Sequence, residues 1–175
     1  GRVMVTGGNL EETAAEIYDP VSGSWDRSGR MEFARQGQEA TALPDGRVLV
    51  TGGDPEVDSA EVYDPSTGAW SPAGEMTSGR VDHTSTLLSD GRVVVAGGVG
   101  ATLPVQQVDI FDSNTGRWVS GLFTGAWSTA PSLSIPRALH TATLLPDGEV
   151  LVVGGRALTE AAAVFINSAE TYDPS

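Results

Sequence analysis

Cysteine is absent from the sequence, and so is lysine: all ten basic residues are arginine. The first absence excludes disulfides and thiolate metal sites within this stretch. Positive charge is scarce, since those ten residues stand against 23 acidic ones for a net charge of -13. Phosphate backbones need clustered basic residues, so nucleic acid is not an expected partner. Anionic membrane surfaces are disfavoured for the same reason. No apolar run approaches the roughly 18–20 residues that cross a bilayer, so no membrane insertion is expected. No segment of useful length has a 3.6-residue apolar period. There is no nucleophile elbow, phosphate loop or HExxH motif. Gly1 is followed by no charged-then-apolar leader. The compartment is left open, with an extracellular or cell-surface setting favoured.

Glycine is abundant instead, at 22 residues, and it recurs in phase. Gly-Gly pairs stand at Gly7-Gly8, Gly52-Gly53, Gly97-Gly98 and Gly154-Gly155, spaced by 45, 45 and 57 residues. Each is followed by an aromatic-Asp pair, beginning at Tyr18, Tyr63, Phe111 and Tyr172. Seven residues after the first three aromatics comes Trp25, Trp70 or Trp118; a fourth would fall beyond Ser175. Asp45-Gly46, Asp90-Gly91 and Asp147-Gly148 precede the later Gly pairs. Seven residues before each Asp stands Gln38, His83 or His140, and three before that Arg35, Arg80 or Arg137. Self-similarity at a fixed period is the mark of a repeat architecture.

Each unit parses into four short strands. In the second, "EATAL" leads through Asp45-Gly46, a tight hairpin signal, into "RVLVTGG", then "AEVYD". "DPSTG" is a turn, with proline presetting φ and glycine where φ is positive, and "AWSPAG" is the fourth strand. Short strands with glycine and aromatic residues repeating per unit indicate β-propeller blades. One blade alone cannot bury the face it presents to its neighbour, which is why the phrase recurs.

Gly-Gly closing an apolar strand, then Tyr, then Trp seven later, resembles the kelch motif. The resemblance implies an all-β, kelch-type β-propeller with four-stranded blades arranged radially. It implies structural roles for Gly7, Gly8, Gly52, Gly53, Gly97, Gly98, Gly154 and Gly155, and for Tyr18, Trp25, Tyr63, Trp70, Phe111, Trp118 and Tyr172. The departures are Phe111 for Tyr, Gln38 for His and Ser113 for Pro. The expected division is strands b–d in 1–34, full blades in 35–79 and 80–136, the latter with a long insert, and strands a–c in 137–175. About three and a half blades are therefore expected, an open arc whose remaining blades come from a longer chain.

In such a blade the a–b and c–d hairpins lie on one face, and the b–c loops and d–a links on the other. Length varies only in the second set: from second Gly to aromatic the distances are 10, 10, 13 and 17 residues. Variable loops on a rigid scaffold are where binding residues collect. The candidates are Phe123 and Trp127 in the insert 119–136, Arg137, and Phe165 and Asn167 in the loop 156–168. Arg35, Arg80 and Arg137 could ring an anionic ligand, but recurrence in every blade favours a repeated internal bond, and His83 and His140 fall under the same argument. Asp54, Glu56 and Asp58 alternate but lack the EF-hand pattern, so a solvated loop is expected.

The expected function is a non-catalytic scaffold that binds a protein or a glycan through the variable-loop face, with no cofactor. The alternative is part of a sugar-modifying kelch enzyme, or of one of the galactose-oxidase type. The latter implies copper held by Tyr and His with a Cys–Tyr crosslink, which residues outside this stretch would have to supply.

Overall fold

In the computed structural model, residues 1–8, 11, 13–119, 126–127, 133–158 and 163–174 are described. All regular elements among them are strands, and no helix is long and apolar enough to cross a membrane. The first blade is the three-stranded antiparallel sheet β1 (Val3–Thr6), β2 (Ala14–Asp19) and β3 (Ser24–Arg30). The second is β4 (Gln38–Ala42), β5 (Val48–Gly52), β6 (Ser59–Asp64) and β7 (Ala69–Glu75), paired in that order. The third repeats it with β8 (Thr84–Leu87), β9 (Arg92–Ala96), β10 (Val108–Asp112) and β11 (Arg117–Trp118).

The fourth blade is built differently. Its inner strands β13 (Thr141–Leu144), β14 (Val150–Val153) and β17 (Ala169–Asp173) follow the pattern. Its outer strand is β12 (Ala126–Trp127), which arrives from the insert that precedes the blade. Trp127 pairs with Tyr172. Trp25, Trp70 and Trp118 hold the same register to Tyr18, Tyr63 and Phe111. The sequence reading assigns this unit strands a–c of its own, and β12 joins them from the insert as an outer strand. The insertion hid the equivalence by placing this Trp ahead of its blade. A hairpin of β15 (Arg156–Leu158) and β16 (Ala163–Phe165) also fills the last b–c loop.

Neighbouring blades touch inner strand to inner strand, β4 to β8 to β13, and outer to outer, β3 to β7 to β11. Strand β9 shows why its sequence is an unbroken apolar run. Val93 and Val95 join Leu49, Val62 and Phe111 in one core. Val94 and Ala96 join Val150, Val152 and Tyr172 in the next. A strand buried on both faces has no polar side to alternate with. In β1, Val3 and Val5 stand 54% and 48% exposed.

The aromatic pairs knit strands c and d, with ring centroids 5.1, 5.2 and 5.4 Å apart. They also lock blades together, because Trp70 Nε1 donates to Gly29 O at 3.1 Å and Trp118 Nε1 to Ala73 O at 2.8 Å, both in the preceding blade. The Gly-Gly pair is dictated by close approach. Gly52 has φ +62° and a Cβ there would lie 2.3 Å from Arg80 O; at Gly53, φ +100°, it would lie 2.6 Å from Arg35 Cβ. No other residue fits both conditions.

Candidate functional site

The recurring arginines are internal ties. Arg35, Arg80 and Arg137 are each 0% exposed. Arg35 Nη2 pairs with Glu61 at 2.9 Å, and its Nη1 donates to Gly52 O and Ser59 O. Arg80 does the same with Asp109, Gly97 O and Gln107 O. Arg137 does so with Glu170, Gly154 O and Ser168 O. Each acid also accepts from the backbone N–H of Glu32, Thr77 or Ser134 in the link that enters the blade. The backbone carbonyl of each arginine in turn accepts from Gly8, Gly53 or Gly98 of the preceding blade. A ring of arginines open to an anion is therefore not what the fold presents, and Arg137 in particular offers no surface to a ligand.

Gln38, His83 and His140 tie each blade to the one before. Gln38 Nε2 donates to Thr6 O. His83 Nε2 lies 2.8 Å from Thr51 Oγ1. The residue equivalent to Thr51 in the third blade is Ala96, which has no hydroxyl. His140 instead meets Thr84 Oγ1, 2.9 Å away on the strand paired with Ala96. Burial, with the nearby arginine charge, pushes His83 down to about 3 and His140 down to about 4. Both are neutral at physiological pH, as packing requires.

The residue before each of these ties adopts a left-handed backbone: Gly37 at φ +75°, Asp82 at +55° and Leu139 at +54°. Leu139 is 58% exposed. For a side chain of that size the conformation carries real strain, and retained strain marks candidate sites. Around these three residues a cavity of about 290 Å³ opens, bounded also by Glu39 and the two histidines. A second, of about 250 Å³, shares Gly37 and Asp82 and runs to Pro55. Farther from the inner strands, Phe33, Val57 and Pro72 line a cavity of about 380 Å³ whose rim carries Glu32, Glu56, Asp58 and Glu75.

All three cavities open among the b–c loops and d–a links. Of the candidates read from the sequence, Phe165 lies there, 75% exposed, with the Arg156 guanidinium 5.0 Å from its ring centre. Asn167 is exposed in the same loop. Trp127 is placed by its backbone in β12, and Phe123 lies outside the described residues. Asp54 Oδ1 accepts from Glu56 N at 2.8 Å, closing a local turn. Among the described residues no three His, Asp or Glu side chains are grouped to hold a metal ion. The sequence reading missed Phe33, Asp82 and Leu139. One signal could have found the last two: Gly37 occupies their repeat position, and glycine there points to positive φ.

Residues 40–77 match the family model described as the Kelch motif. No curated protein matches the chain. The motif match and the run of four-stranded antiparallel sheets, not closed into a barrel, fit a kelch-repeat β-propeller. The motif marks a repeat scaffold of the kind that usually mediates protein interaction.

Proposed function

We propose that this propeller segment is a non-catalytic scaffold that binds a protein partner through the face formed by its b–c loops and d–a links. One observation carries the reading. Large apolar side chains exposed in loops and links gather on that face: Phe33, Leu103, Ile135, Leu139 and Phe165. On the opposite face the hairpin turns contribute Val21 alone among the large exposed apolar residues described. Apolar side chains that the repeat does not require, gathered on one side and rimmed by polar groups, are the signature of an interaction surface. The rim of Glu32, Glu56, Asp58 and Glu75, with the net charge of -13, selects a partner surface that is basic around an apolar centre.

Phe123, from the insert 119–136, and Asn167, from the loop 156–168, extend this surface in the proposal. A glycan docking on the same aromatics is the competing ligand. Affinity capture and glycan arrays with Leu139→Gly, Phe165→Ser and Phe33→Ser beside the parent test the reading. Loss of a protein partner in these variants, with retention in the hairpin-turn variant Val21→Ser, is the expected result. Binding that survives all three loop-face changes and is lost with Val21→Ser places the partner on the opposite face.

A further inference from the structure

Each link that enters a blade donates a backbone N–H to that blade's strand-c acid: Glu32 to Glu61 at 2.8 Å, Thr77 to Asp109 at 2.9 Å and Ser134 to Glu170 at 2.7 Å. The fold asks for the N–H alone and leaves the side chain to other uses. In the third blade the link side chains serve the blade itself: Thr77 Oγ1 donates to Asp109 at 3.0 Å, and Ser78 Oγ accepts from Arg80 at 3.4 Å. In the second blade the same two positions carry Glu32 and Phe33, both exposed. They stand across the cavity of about 380 Å³ from the loop 54–58 and the end of β7. Four carboxylates surround that cavity, those of Glu32, Glu56, Asp58 and Glu75, and none has an ion pair among the described residues. Glu61 lines it too, but its charge is matched by Arg35. Like charges around one hollow repel, so this set does not stabilise the fold. No three of the described acids converge on one metal ion. The negative charge is therefore spread around an apolar patch of Phe33, Val57 and Pro72.

We propose that this cavity is a pocket for one arginine side chain, presented by an extended segment of the protein partner in which aliphatic residues flank the arginine. The pocket rests on the loop-face reading and names what the partner brings to that face. Charge complementarity selects the occupant. A carboxylate ring too wide for one ion calls for a cation whose donors point in several directions, and the guanidinium carries five N–H donors in one plane. That plane lies against the Phe33 ring, where a cation is attracted by the aromatic face. The aliphatic stem covers Val57 and Pro72 while the charged head keeps to the acidic rim. Lysine, a compact and strongly hydrated point charge, reaches fewer of the carboxylates at once. A volume of about 380 Å³ stands near the lower bound of about 300 Å³ for ligand pockets, which suits a single anchoring side chain.

The test uses the full chain and a fluorescein-labelled peptide, GLRVGG, followed by fluorescence anisotropy, with amide chemical shifts read at Phe33, Val57 and Glu75. Saturable binding is expected, with shifts at those residues. Replacing the peptide's arginine by lysine, or Phe33→Ser or Glu75→Gln in the protein, should weaken binding at least about tenfold, the factor that corresponds to 1.4 kcal/mol. Phe33 and Glu75 are exposed, so both variants keep the fold, and an unchanged melting curve verifies that. Asp26→Asn removes the same charge from an exposed site in β3 outside the cavity and should leave the affinity unchanged. The proposal is overturned by a dissociation constant weaker than about 1 mM, by equal affinity for the lysine peptide, or by shifts that spare all three residues. A loss with Asp26→Asn as large as with Glu75→Gln also overturns it, since the attraction would then be one of net charge. The loop-face reading is decided separately, by partner capture with Leu139→Gly and Phe165→Ser, whose residues lie outside this cavity.

Discussion

His83 and Thr51 meet across a blade boundary, Nε2 to Oγ1 at 2.8 Å, inside a ring environment that keeps the imidazole neutral. In the unfolded chain the same imidazole titrates near 6.5, whereas in the fold it is held at about 3, and His140 at about 4. Folded pKa values below the unfolded ones mean that the unfolded state takes up protons first as pH falls. The stabilisation is therefore complete above about pH 6.5 and is lost progressively toward pH 4 and below, by on the order of a few kcal/mol. Urea titrations from pH 8 to 4 should show this loss. His83→Gln, which copies the solution used at Gln38, should flatten the profile. A His83→Gln profile that overlays the parent's would remove the histidine from the account.

The Arg80–Asp109 pair is buried at both ends, so its members are not separable. Arg80→Met leaves the Asp109 carboxylate without its cation in a dry site and should cost about 3–5 kcal/mol. The double variant Arg80→Met with Asp109→Leu should cost less than the two single changes summed. It should not be neutral, because Asp109 also accepts from Thr77 N and Oγ1, at 2.9 and 3.0 Å. Chemical denaturation of the four proteins measures the coupling; strict additivity would show that the pair is not a unit.

Trp70 is half-buried and spans two blades, packed at a tilt against Tyr63 and donating to Gly29 O. Partial exposure lowers the cost of truncation below that of a core tryptophan, so Trp70→Ala should cost about 2–3 kcal/mol. Gly74→Ala should be of similar severity. Its φ of +81° disfavours a side chain, and the added Cβ would sit 3.0 Å from Trp118 Cδ1. Melting temperatures of the two variants provide the check, and a Gly74→Ala protein as stable as the parent would contradict the packing described.

Leu139→Gly should separate stability from binding. Removing a side chain at φ +54° relieves backbone strain, and the residue is more than half exposed. Stability should therefore hold, or rise by up to about 1 kcal/mol. Partner affinity should fall. A variant that is markedly less stable would mean that Leu139 packs as part of the fold rather than waiting for a ligand.

The blade framework was legible in the sequence because its physics is local and repeated. The Asp-Gly turns, the paired glycines and the aromatic-to-Trp spacing each answer to one short-range constraint. For Arg35 and Arg80 recurrence favoured an internal bond over a single site, whereas Arg137, offered also as a ligand candidate, lies buried in the same kind of bond. Trp127 was not legible, because a residue that joins the outer edge of a later blade has lost the spacing by which its peers are found. Leu139 and Asp82 were hidden for another reason: their backbone strain is written only in the glycine of a different copy. Phe33 lies in a link of ordinary length, where nothing in the pattern separates an exposed aromatic from a buried one.

Strand β9 sends alternate side chains into two different cores, Val93 and Val95 one way, Val94 and Ala96 the other. It is thus a shared wall, and neither adjoining room stands without it. Opening the third blade must empty both cores at once. Native-state amide exchange should therefore be slowest at Val93–Ala96. The hinge between neighbouring blades would then be a place where the chain bends only by unfolding, so a partner grips a rigid surface and loses little affinity to its ordering.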